Sequence, residues 1–323
     1  MLSTPALTIT APPEPRSAKK KGLRALGRSY WRHRYFILMF LPGFALFALF
    51  TYGPLYGILI AFKDYSVTEG ITGSAWVGLK NFNDLFFAGP DFLHALRNTV
   101  VFASLSIVVL FPAPIILAII LNECRFKWFV RLVQTISYLP HFISWVVLSG
   151  ILFQFLGQLG GVNALLSLFG LPAQSWIYQP DKFYLIYTLS AIWAGIGWGA
   201  IIYIAALAGV DTQLYDAARV DGASRLQRIR HVSLPGIAPT ISIMFLLQIA
   251  HFLTVGFDQI YNLMTPITQD TADILDTYVL RHVLSFDYSR GMAAAVFQSV
   301  IGLILVTIGN RVVRRLDSDQ GLW

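Results

Sequence analysis

The chain of 323 residues has one cysteine, Cys124. A lone thiol excludes an internal disulfide and a cysteine-based zinc site, and no two of the six histidines stand four apart, so the His pair of a zinc-protease helix is missing too. No lysine follows a glycine, which removes the GxxxxGK[ST] loop that cradles nucleotide phosphates. Charge is scarce: 13% of residues are Asp, Glu, Lys or Arg against 56% hydrophobic, and the mean hydropathy is +0.62. A water-soluble fold of this length could not cover that much apolar surface, so the chain belongs in a bilayer. No Pro/Ser-rich linker separates two cores, which leaves one membrane domain with tails.

What is present is a series of apolar runs. Residues 35–62 contain no charged side chain, more than the ~20 residues that cross the hydrocarbon layer. Gly53-Pro54 is expected to kink or end that helix. Further spans are read at 98–122, within 135–156, at 183–210, from 237 to about 261, and at 291–310. The expectation is an all-α membrane protein with six transmembrane helices: a basic tail over 1–34, a membrane domain over 35–311 and a second tail over 312–323. A cleaved signal peptide is the competing reading of the start, but the run that follows is too long and lacks a small-residue cleavage site. Between spans, 63–91 reads as a polar loop and 157–181 as a loop with an interfacial helix near 163–169. Residues 265–290, with Asp270, Asp273, Asp276, Arg281, His282 and Asp287, read either as an amphipathic helix or as a solvated connector.

Six spans put both termini on one side. Eighteen of the 24 Lys and Arg fall there, including Arg125, Lys127, Arg131, Arg219, Arg225, Arg228, Arg230 and Arg311, while Lys63, Lys80, Arg97, Lys182, Arg281 and Arg290 lie opposite. Cations are held back on the cytoplasmic face during insertion, so both termini are expected in the cytoplasm. The net charge of +7 follows from this orientation and needs no nucleic acid to explain it.

Deep in the apolar chain lies a polar, basic island at 215–239, YDAARVDGASRLQRIRHVSLPGIAP. Good helix formers, then Asp221-Gly222-Ala223-Ser224 and a second helical stretch, read as helix, turn, helix. Asp216-Ala217-Ala218, Asp221-Gly222-Ala223, Leu234-Pro235 and Pro239 resemble the cytoplasmic loop in permease subunits of binding-protein-dependent ATP-binding-cassette (ABC) importers. That family usually has Glu where Asp216 stands and Phe where Ile229 stands. The segments YGPLYGILIAFKDY at 52–65 and WVGLKNF at 76–82 resemble the first span and outer loop of the oligosaccharide branch, the permeases of alginate importers above all.

The resemblance implies a type I ABC importer permease fold in a bacterial inner membrane and a transport subunit without enzyme activity. It implies a second homologous permease, here a heterodimer, two ATPase subunits that use ATP and Mg, and an extracytoplasmic solute-binding protein. The solute would be an oligosaccharide, acidic and alginate-like or neutral. An ATPase-coupling loop is then expected over 211–236, carried by Asp216, Ala217, Ala218, Asp221, Gly222, Ala223, Arg225, Arg228, Leu234 and Pro235. The plainer reading is a solvated loop whose charges only fix topology.

For a solute path the candidates are Trp193 and Trp198 in the fourth span and Gln248, His251, Asp258 and Asn262 in the fifth. At ~100° per residue the last four share a sector of roughly 80°, a polar face that lipid would penalise. Helix-to-helix packing explains such a face equally, Asp258 stands near the outer end where water reaches, and the tryptophans suit an interfacial belt. Gly195 and Gly199, four apart, are read as a close-approach pair, and His141 as a satisfied core group. Two other classes compete. A secondary transporter needs ionisable groups at mid-membrane, which the spans scarcely offer, and an intramembrane hydrolase needs a nucleophile and base or a metal set, which is not legible.

Overall fold

The computed structural model describes residues 34–316. Of the expected basic tail over 1–34 all but Arg34 lies outside the described residues, as does the chain beyond 316. Among the described residues six helices are long and apolar enough to cross a membrane: Arg34–Phe62, Asp91–Glu123, Trp145–Ser167, Pro180–Ala208, Arg225–Ala250 and Tyr288–Arg311. The chain divides into two compact units, Met1–Tyr56 and Gly57–Trp323. In the first, regular α-helix over Arg34–Phe47 gives way to a π turn at Ala48–Tyr52, a few residues ahead of Gly53-Pro54.

The second unit is organised around the fourth span, an unbroken helix over Phe183–Ala208 whose buried share, 28%, is the largest of the six. With lipid as apolar as Leu, spans associate through close packing, and small residues allow it. A Cβ on Gly199 would lie 2.9 Å from Pro114 of the second span, and one on Gly197 would collide with the carbonyl of Ser137. The expected pairing of Gly195 with Gly199 does not hold, because nothing approaches Gly195 within 4 Å. Three buried clusters result. Phe102, Phe183, Tyr187 and Ile260 form one; Leu85, Phe92, Leu275 and Tyr278 a second; Ile115, Ala200, Tyr203 and Ile237 a third.

Two spans are broken. Where a single third span was expected within 135–156, two helices stand, Lys127–Tyr138 and Trp145–Leu156, joined by a tight turn at Leu139–Phe142. Pro140 sits in that turn; it lacks an N–H and its ring clashes with the preceding helical turn, so the helix stops. Ser144 restarts it, its Oγ accepting from Val147 N at 3.4 Å. The fifth span was expected to run to about 261 but ends at Ala250. His251 leaves helical geometry with its Nδ1 2.9 Å from the Leu247 carbonyl, Gly256 takes φ +49°, and a separate helix, Phe257–Leu263, follows. Asp258 and Asn262 are therefore not on one face with Gln248 and His251, which corrects the polar stripe.

Side chains fasten the second break and the helix after it to the neighbouring spans. Gln259 Nε2 donates to Tyr187 O at 2.8 Å and to Ser190 Oγ at 2.9 Å, tying the Phe257–Leu263 helix to the fourth span. Gln298 Nε2, on the sixth, donates to Leu253 O at 2.7 Å and to Asp276 Oδ1 at 3.0 Å.

The loops between spans are folded. Residues 63–91 hold a short antiparallel ribbon, Lys63–Asp64 with Ala75–Trp76, and a helix, Lys80–Phe87. The helix expected near 163–169 stands at Gly161–Ser167, the end of the stretch Trp145–Ser167, where Asn163 donates to three loop carbonyls and accepts from Trp176 Nε1 at 3.0 Å. Residues 265–290 form the helices Gln269–Ala272 and Leu275–Leu284. Asn98 and Thr99 of the second span bind their backbone, and Arg281 pairs with the buried Asp273 at 2.8 Å.

Candidate functional site

The polar island is an elbow. Helix Thr212–Val220 begins with the Asp211 side chain accepting from Gln213 N at 2.9 Å. It ends where Gly222 takes φ +74°, with Ala223 N bonded to Ala218 O and Gly222 N to Arg219 O. That pair of bonds is the glycine-closed helix end that an L side chain would strain. Ser224 and Gln227 then cap a second helix reciprocally, and the chain stays helical through a π turn at Ile229–Ser233 and on over Leu234–Ala250. Helix, turn, helix is as expected, but the second half is the root of the fifth span itself. The whole segment Arg225–Ala250, 26 residues, makes a rod about 39 Å long at 1.5 Å per residue.

Three contacts fasten the elbow. Arg228 Nη2 lies 3.2 Å from Glu123 Oε2 at the end of the second span, with both side chains about one-sixth exposed. Tyr215 and Ser233 share a hydroxyl hydrogen bond at 3.0 Å. A Cβ on Gly236 would come within 2.7 Å of Val210, so the two arms of the elbow touch at its base. Of the expected coupling residues, Asp216, Ala217, Asp221, Gly222, Arg225 and Pro235 are exposed and Ala218, Ala223, Arg228 and Leu234 half-buried. Apolar Val220 and Leu226 stand 88% and 74% exposed beside them, an unusual position for such side chains on a polar loop.

The break in the third span faces the helix that follows the break in the fifth. A cavity of about 570 Å³ is lined by Pro140, His141, Ser144 and Trp145 from the third span, Ala191, Ala194 and Gly195 from the fourth, and Asp258 and Asn262 beyond the fifth. Gly195 is open because the cavity lies before it. Trp198 contributes through His141, whose ring stacks on the indole at 4.5 Å and 6°. Asn262 donates to Asp258 O at 2.7 Å, leaving the Asp258 carboxylate exposed. Trp193 lies elsewhere, against Leu152, Leu156 and Trp176 in an apolar cavity of about 400 Å³, and Gln248 and His251 line neither cavity. His141, expected as a satisfied core group, is exposed and stacked on Trp198 at the cavity, and Ser144, Glu123, Gln259 and Gln298 carry no expectation from the sequence. Pro140 and Gly256 are the signals that would have marked the breaks.

Residues 110–320 match the family described as binding-protein-dependent transport system inner membrane component. That stretch takes in the elbow, both breaks and the cavity. The chain belongs to this family. It is a multi-pass inner-membrane permease and a transport subunit of an ABC importer. The permease is 41% identical over 309 residues to the polygalacturonan/rhamnogalacturonan transport system permease protein YteP of Bacillus subtilis (strain 168), covering 94% of this chain and 95% of that one. It superposes with a TM-score of 0.84, at 37% identity, on a chain of a bacterial ABC transporter involved in the import of the acidic polysaccharide alginate, covering 90% of this chain and 99% of that one. A second structure, of a bacterial alginate ABC transporter in complex with an alginate pentasaccharide-bound periplasmic protein, also gives 0.84, at 38% identity, with 90% and 98% covered.

Proposed function

We propose that the permease carries oligosaccharides, of the acidic, uronate-bearing class, through the cavity between the break in the third span and the helix that follows the break in the fifth. That cavity is the observation that carries the reading. Solute sites in transporters form where helices are interrupted, because the interruption frees polar groups in a place that lipid does not reach. Asp258, Asn262, Ser144 and the polar edge of His141 supply hydrogen-bonding groups for sugar hydroxyls, and Trp198 lies behind the imidazole. Alginate and polygalacturonan, named for the relatives above, are the reason for preferring the acidic class.

We place both termini and the elbow in the cytoplasm, on the distribution of Lys and Arg. There the exposed Val220 and Leu226, framed by Asp216, Asp221 and Arg225, dock into one of two ATPase subunits that hold ATP and Mg. A second permease chain completes the path, and a periplasmic binding protein delivers the solute, as in the alginate complex. When the ATPase pair closes, the elbow moves. Arg228–Glu123 passes that displacement to the second span, and the rod Arg225–Ala250 passes it to the break at 251–256, beside the cavity. A rigid element pivoting against a fixed bundle is the ordinary form of such switching.

The test is uptake by the reconstituted complex with its binding protein. Gly195→Leu fills the cavity from a position with free space around it, so the permease should assemble and bind its ATPase subunits yet transport no oligosaccharide. Normal uptake by that variant would remove the cavity from the path.

A further inference from the structure

A second cavity lies at the root of the elbow; Glu123, Asp216, Arg225 and Arg228 of the mechanism above stand on its wall, and Arg125 joins them there. It measures about 590 Å³, within the roughly 300–1,000 Å³ of small-molecule sites. Four arginines line it, Arg125, Arg219, Arg225 and Arg228, against two carboxylates, Glu123 and Asp216. Both carboxylates are already engaged, Glu123 with Arg228 at 3.2 Å and Asp216 with Arg219 at 2.7 Å. Arg125 and Arg225 have no hydrogen-bond or ion-pair partner among the described residues. Both guanidiniums are exposed on this cavity, and their planar forks fit phosphate oxygens. Thr212 and Tyr215 line the same space.

The surroundings select the source of the phosphate. The cavity is bounded by Asn122 and Glu123 at the end of the second span, by Cys124 and Arg125 of the turn after it, and by Leu207 and Ala208 at the end of the fourth, so it opens where apolar helix gives way to polar loop. Directly beyond Arg125, Phe126 and Trp128 stand 66% and 67% exposed, with Phe129 exposed next to them. Free phosphate has no use for such a rim. Acyl chains do, and basic pockets between spans at this level hold acidic lipid head groups. We propose that this cavity binds the phosphodiester of an anionic membrane lipid between Arg125 and Arg225, with the lipid tails against Phe126, Trp128 and Phe129. Arg125 belongs to the turn after the second span and Arg225 to the elbow, so the lipid ties the two together beside Arg228–Glu123.

The assembled transporter, extracted from membranes of phosphatidylcholine with or without phosphatidylglycerol, is examined by native mass spectrometry for retained lipid. The wild type keeps phosphatidylglycerol in preference to phosphatidylcholine. Arg125→Gln and Arg225→Gln each weaken that retention about fivefold, as expected for one cation at a membrane surface, while Arg125→Lys keeps most of it. Added inorganic phosphate leaves the lipid in place. Equal retention by the wild type and both Gln variants overturns the site. Displacement by inorganic phosphate overturns the lipid in favour of a free anion, and loss of ATPase subunits from the Gln variants with lipid retention unchanged makes the cavity a protein socket.

Discussion

Arg228 and Glu123, 105 positions apart in the chain, meet at 3.2 Å in a half-buried ion pair that joins the root of the fifth span to the end of the second. Removing one partner leaves the other charge with little water around it. Fully buried pairs lose about 3–5 kcal/mol that way, and the one-sixth exposure here trims the loss to about 1–3 kcal/mol. Arg228→Ala and Glu123→Gln should each depress solute-stimulated ATP turnover in the reconstituted complex. The swap Arg228→Glu with Glu123→Arg should recover much of it; turnover as low as in the single variants would mean that the pair carries no force.

Gly222 has open space around it and φ +74°, so only its backbone angle demands glycine. Gly222→Asp costs about 1–2 kcal/mol of local strain, too little to stop insertion or assembly. It should nevertheless lose coupling between solute and ATP turnover, because the turn can no longer hold the two arms of the elbow at their angle. Unchanged uptake would count heavily against the lever.

Within the cavity, Asp258→Asn keeps the shape and removes the only carboxylate of its lining. Asn262→Ala removes the donor that holds Asp258 O at 2.7 Å. A hydrogen bond to solute is worth about 0.5–1.5 kcal/mol, and up to about 3 when charged, so transport should fall between about twofold and a hundredfold, with the ATPase activity of the solute-free complex unaltered. Equal loss of both activities would show a folding defect instead.

Gly197 and Gly195 lie two residues apart on one helix and differ in surroundings. Gly197→Ala drives a methyl into the Ser137 carbonyl, and overpacking of this kind costs about 1–3 kcal/mol. A thermal melt of the purified complex should show a drop of several degrees for Gly197→Ala and almost none for Gly195→Ala.

Asp276 lies outside the spans, on the Leu275–Leu284 helix, with its Oδ1 accepting from Gln298. Burial raises its carboxyl above the ordinary range, an effect the Gln298 hydrogen bond opposes in part. A carboxyl with a raised folded-state pKa binds its proton more readily folded than unfolded, so stability falls as pH rises through the interval between the two values. Asp276→Asn keeps the Gln298 contact and removes the charge; it should stabilise the permease near neutral pH and flatten this part of the melting profile. A slope identical to that of the wild type would assign the pH dependence to another group.

The number of spans, the elbow and its glycine turn were legible in the sequence because each depends on local signals: charge-free length, helix propensity, and a Gly after an Asp. The fifth-span stripe was misread because helical periodicity continues on paper across His251 to Gly256, while the real chain uses Gln259 and Gln298 to hold a break there. Gln259 lies just past the break and holds Tyr187 O, 72 positions away, while Gln298 on the sixth span holds Leu253 O in the break, 45 positions away, and no window of sequence reveals such partners. His141 belongs to the cavity for the same reason. Pro140 announced an interruption, but only the fourth span shows what the interruption opens onto.

The uninterrupted stretch from Arg225 to Ala250 sets a phase as well as a length. Inserting or deleting a single residue between Leu234 and Ala250 would turn everything beyond it by about 100° and slide it by about 1.5 Å, swinging Asp258 away from Ser144 while the elbow stayed where it is. Gears cut on one shaft must keep their teeth aligned. In this permease, homologues that share the mechanism should tolerate many substitutions along that shaft and almost no change in its residue count.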